Sequence, residues 1–164
     1  MNWWDYLLTV ISIFCTVFSI RGAYKANVYY KKSKQLTIYA NTNLAVTEVQ
    51  KIIDLLTEML KLSNIIKRRG VNYEKEVSKN GEGIKKSLNK IRESLPVDYC
   101  KEINVILNSG ETKIELYIDG FINGEVLVDG NFIIEKDFNN CQEAFREIQL
   151  FIKKKLENLS EKLK

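Results

Sequence analysis

From Tyr6 to Ile20 fifteen residues pass without a charged side chain, and the run reaches back to Trp3 and Trp4 if the lone Asp5 sits at its edge. As a helix, Trp3 to Ile20 spans about 27 Å at ~1.5 Å per residue, close to the ~30 Å hydrocarbon layer of a bilayer. The pattern predicts a single transmembrane helix. Its small and hydroxyl residues are ordered, because Thr9, Ser12, Thr16, Ser19, Ala23 and Ala26 recur at alternating spacings of three and four. That spacing puts them on one stripe, while Leu7, Val10, Ile11, Phe14, Val17 and Phe18 cover the other faces.

Between Met1 and Arg69 there is no proline and one glycine, Gly22, so the helix is expected to run on into a stalk. The three-four spacing continues through Tyr30, Ser33, Thr37, Ala40 and Leu44. It then shifts to Ala45, Val49, Ile52, Leu56, Met59, Ser63 and Ile66, an amphipathic or coiled-coil seam. Gly70, behind Lys67, Arg68 and Arg69, is expected to cap the stalk. Ile84, Leu88, Ile91 and Leu95 mark a second helix, entered through Asn80 to Gly83 and stopped by Pro96. A third covers Asp98 to Asn108. Between Glu111 and Glu135 two readings stay open. Ile114, Tyr117, Ile118, Phe121 and Ile122 fit a helical face, whereas Ile114, Leu116 and Ile118 alternate as a strand does. Val126 to Val128 and Phe132 to Ile134 around Asp129 and Gly130 fit a small hairpin. A last helix keeps Cys141, Phe145, Ile148, Ile152, Leu156, Leu159 and Leu163 on one side. The expected fold is mainly α, as an anchor over 1–34, a helical stalk over 35–70 and a helical bundle over 71–164 with room for one hairpin.

Charge orients this arrangement. Residues 21–34 carry Arg21, Lys25, Lys31, Lys32 and Lys34 and no acid, whereas 96–140 carry nine acids against three lysines. The positive-inside rule places the basic flank in the cytoplasm, with Trp3 and Trp4 in the outer aromatic belt and Arg21 and Lys25 at the inner interface. Met1 to Asp5 lacks the basic residues of a cleaved signal peptide, so the segment reads as an uncleaved anchor in the inner membrane, N-terminus outside. The three cysteines are widely spaced and unpaired in pattern, which suits a reducing compartment and argues against a disulfide framework or zinc site.

Histidine is absent, removing the commonest general base and metal ligand. Pro96, Asp98, Glu111 and Lys113 echo a metal-dependent nuclease arrangement, but Val97 separates the proline from the aspartate and Asp98 opens a helix. Gly81 and Gly83 at a helix start, with Lys85, Lys86, Arg68, Arg69 and Tyr73, make a candidate anion or nucleotide site. The plain alternative is a solvated basic loop and helix cap. No cofactor and no metal are expected, and the chain reads as a non-enzyme.

A lone span has no second helix of its own chain to pack on, so its stripe points to self-association, either dry or around a pore. Trp3 to Lys34 running into a helical cytoplasmic part resembles small single-span membrane effectors of bacterial anti-phage defence, including CRISPR-accessory and nucleotide-signal-gated membrane proteins. The resemblance implies a homo-oligomeric effector that opens a pore and depolarises the membrane, with a nucleotide or short nucleic-acid signal as partner. Without histidine, the ribonuclease site of HEPN-type members is not carried over. The competing reading is a membrane-tethered adaptor whose acidic 96–140 segment docks a cytoplasmic protein. A metal-dependent membrane nuclease stands third.

Overall fold

The computed structural model describes residues 2–63, 73–110, 112–124, 127–128, 131–132 and 135–163. Among them the chain is helical, with α1 at Trp3–Ser63, α2 at Tyr73–Ser94, α3 at Val97–Asn108, α4 at Ile114–Asn123 and α5 at Glu135–Leu163. Strands β1 (Leu127–Val128) and β2 (Asn131–Phe132) pair antiparallel, Leu127 opposite Phe132 and Val128 opposite Asn131. The turn residues expected there, Asp129 and Gly130, lie outside the described residues.

By its internal contacts the chain divides into Met1–Thr37 and Ile38–Lys162. In the first unit every described residue of α1 is exposed. Its apolar stretch is long enough to cross a membrane, and none of it is buried. Trp3, Trp4, Phe14, Phe18 and Ile20 all stand exposed, whereas a core helix of a soluble protein would hide such residues.

The second unit has one core. Ala45, Val49, Ile52, Leu56 and Met59 of α1 meet Val77, Ile84, Leu88 and Ile91 of α2, Ile103 and Leu107 of α3, and Ile114, Ile118 and Phe121 of α4. Phe138, Cys141, Phe145, Ile148 and Ile152 of α5 complete the cluster. The expected 35–70 stalk is therefore divided. From Ile38 on, α1 belongs to the compact unit, and the Ala45 to Met59 part of the seam read as a coiled-coil face is covered by the chain's own helices. Periodicity specifies an apolar face but not whose face covers it. The expected stop at Gly70 lies outside the described residues.

Two further boundaries differ from expectation or settle it. The second helix starts at Tyr73, so Asn80 to Gly83 lie inside α2 instead of leading into it. A Cβ at Gly81 would come within 3.0 Å of Ile122 Cγ1, and one at Gly83 within 3.0 Å of Leu55 Cδ1. These glycines are sites of close helix approach, which outweighs their poor helix propensity. Over Ile114–Asn123 the helical reading holds, since Ile114, Ile118 and Phe121 are buried while Leu116, which strand alternation would bury with them, is 64% exposed. Gly124 ends α4 in the left-handed region at φ 73°, its N–H donating to the Gly120 carbonyl. Pro96 serves as N-cap of α3, where a missing N–H costs nothing.

Candidate functional site

Three places carry the chemistry that the sequence offers: the stripe on α1, the lysine cluster on α2 and the acidic stretch from α3 to α5. On α1 the stripe residues Thr9, Ser12, Thr16, Ser19, Ala23 and Ala26 are all exposed, as are Trp3, Trp4, Arg21 and Lys25. Asp5 sits in the first turn, its carboxylate accepting the Asn2 N–H at 3.0 Å. Thr9 Oγ1 donates to the Asp5 carbonyl at 2.7 Å, and Thr16 Oγ1 to the Ser12 carbonyl at 2.8 Å. Each hydroxyl is thus satisfied within its own helix, which lets it enter hydrocarbon without a stranded donor. The same bond recurs at Thr37, Thr42, Thr47 and Thr57. It is the habit of threonine throughout α1, and so does not by itself distinguish a pore lining from a dry contact.

The anion site read from the sequence needs a helix N-terminus at Gly81 to Gly83, and the fold removes it. Backbone N–H groups there are spent inside α2. Lys85 donates to Asp119 of α4 at 2.6 Å, and Lys90 to Glu48 of α1 at 3.0 Å. Lys86 is exposed beside them in an open depression also lined by Glu82 and Glu93, whose charges offset the lysines. Ser87 is buried, its hydroxyl facing the Glu48 carboxylate that Lys90 pairs. Arg68 and Arg69 lie outside the described residues, and Tyr73 is the first residue of α2. The described members of the set are not gathered into an anion cradle.

The nuclease arrangement fares similarly. Asp98 lies in the first turn of α3 and Lys113 is the N-cap of α4, while Glu111 is outside the described residues. Among the described residues no three His, Cys, Asp or Glu side chains are placed to share a metal ion.

Among the described residues, most acids of the 96–140 stretch are occupied by the chain itself. Glu115 pairs with Arg92, whose Nη2 also donates to Asn104 Oδ1 at 2.9 Å, so one guanidinium joins α2, α3 and α4. Glu102 accepts from Lys155 at 3.2 Å, and Asp137 accepts from Thr112 Oγ1 at 2.5 Å. Nothing local marks Arg92 as a junction, because its partners stand 12 and 23 residues away. Cys15 is exposed, Cys100 half-buried and Cys141 buried, all as free thiols. Burial pushes the Cys141 thiol up to about 12 and raises that of Cys100. Both are poor nucleophiles at neutral pH. Set against protein-family models, curated proteins and solved structures, the chain matches none of them.

Proposed function

We propose that the chain is a single-span protein of the cytoplasmic membrane, N-terminus outside, whose Ile38–Lys162 unit works in the cytoplasm as part of a non-enzymatic homo-oligomeric effector. One observation carries the reading: the apolar stretch of α1 is wholly unburied, with Trp3 and Trp4 before it and Arg21 to Lys34 after it. Aromatic belt, apolar run and basic flank come in the order that a bilayer selects. In this reading copies meet along the Thr9 to Ala26 stripe, where small side chains let backbones approach. A nucleotide or short nucleic-acid signal acting on the cytoplasmic unit then shifts the packing of that stripe toward an open pore, depolarising the cell in anti-phage defence.

A second reading is the tethered adaptor, in which α1 only anchors and the acidic 96–140 segment docks a cytoplasmic protein; the Thr9 and Thr16 hydroxyls, bonded within their own helix, need no pore water in that role. One experiment separates the two. Full-length chain and its Ser12→Leu/Thr16→Leu variant are expressed side by side, with membrane potential followed by a voltage-sensitive dye and the solubilised protein weighed by mass photometry. The effector predicts an oligomer whose depolarisation is lost in the variant. A monomer that leaves the potential unchanged in both would sink it and leave the adaptor.

A further inference from the structure

Between α3 and α5 the helical unit carries a groove of about 490 Å³. Ile106 and Phe151 are half-buried along it, while Val105 and Leu150 are 66% and 68% exposed. Together with Ile106 and Phe151 they give the groove an apolar strip that a partner surface can cover. Beside the groove Lys155 is already engaged, since it bonds Glu102 and lies 5.0 Å and 4.9 Å from the ring centres of Tyr99 and Phe151. What α5 offers along the groove is then Glu147, Leu150, Phe151 and Lys154, spaced to share one side of the helix.

That order is complementary to itself when reversed. A two-fold axis crossing α5 between positions 150 and 151 sets Glu147 of each copy against Lys154 of the other and Leu150 against Phe151, giving two opposite-charge pairs around an apolar centre. A parallel pairing would instead set Glu147 on Glu147. The membrane surface is a poor occupant, because Glu102 and Glu147 offset Lys155 and Lys154 and leave the groove no net positive charge to draw it to an anionic leaflet.

We propose that this groove is a two-fold contact between copies of the chain, with α5 antiparallel to α5 and Val105 and Leu150 at its centre. Two-fold interfaces use one patch twice and must be self-complementary in this way. The contact rests on the reading of the chain as self-associating, and anchoring copies in one bilayer raises their effective concentration enough for a modest patch to close.

The test uses full-length protein in detergent with Cys15→Ser and Leu150→Cys, treated with a short bismaleimide, and the Cys15→Ser chain as control. Covalent dimer is expected with Leu150→Cys and absent from the control. Adding Glu147→Lys or Lys154→Glu is expected to lower its rate about tenfold, and adding both together to restore it. A rate indifferent to these charges, or no dimer, in a protein that mass photometry shows to be oligomeric would overturn this contact and leave assembly through the anchor standing. A monomer by mass photometry would overturn the contact and the self-association reading together.

Discussion

Gly81 on α2 lies so close to α4 that a Cβ at position 81 would stand 3.2 Å from Phe121 Cβ and 3.0 Å from Ile122 Cγ1. Phe121 Cβ is tied to its backbone and cannot swing aside, so the Gly81→Ala chain must push two helices apart. Overpacking of about 1–3 kcal/mol exceeds the ~1 kcal/mol that alanine returns in a helix. Gly81→Ala is expected to lose stability in urea unfolding followed by circular dichroism. Gly83→Ala meets only the flexible end of Leu55 and is expected to hold or gain up to about 1 kcal/mol. Equal losses at both positions would refute this account of α2.

The bond from Lys90 to Glu48 joins α2 to α1 over a glutamate whose side chain is 11% exposed. Lys90→Met leaves that carboxylate without its countercharge and is expected to cost about 1–3 kcal/mol. Glu48→Leu combined with Lys90→Met removes the stranded charge and should recover most of the loss. A double variant as unstable as the single would point instead to lost packing by the lysine stem.

Cys141 sets an alkaline limit. Its thiol, ordinarily at 9.0, is pushed by burial up to about 12, and burial also raises the Tyr117 hydroxyl. The unfolded chain therefore releases the Cys141 proton from about pH 9 while the folded chain keeps it. Stability is full below pH 9 and falls as pH rises from there to about 12. Urea midpoints between pH 8 and 10.5 (roughly, the window in which only the unfolded thiol ionises) should decline less in Cys141→Ala than in the parent chain. Maleimide at neutral pH should label Cys141 only on unfolding.

Arg92→Lys is not a conservative change here. The guanidinium reaches Glu115 with both of its terminal nitrogens while holding Asn104, and an ammonium cannot span the three. A loss of about 1–2 kcal/mol is expected in the same unfolding assay. Wild-type stability in Arg92→Lys would show that the junction contributes little.

Much of the helical order was legible because burial follows a 3.6-residue period: Ile84, Leu88 and Ile91, or Cys141, Phe145, Ile148 and Ile152, are apolar in sequence and buried in the fold. Local chemistry misled where a long-range contact governed. Asn80 to Gly83 has the composition of a helix entry, yet Phe121, Ile122 and Leu55 require the absence of side chains there, and nothing within a few residues of Gly81 announces that. The candidate anion site fell with the same misreading. The Thr9 to Ala26 stripe was visible as a spacing, but a spacing within one chain does not say what lies opposite.

Gln149 of α5 donates to Gln50 of α1 at 2.7 Å across a sequence separation of 99 residues. During synthesis at ~5–20 residues per second, the Ala45 to Met59 face therefore waits roughly 5–20 s before α5 exists to cover it. The apolar stretch of α1 leaves the ribosome well before the helix that closes the core. For that interval the nascent chain displays two greasy surfaces, and whatever attends its birth must shield the second while the first finds its resting place.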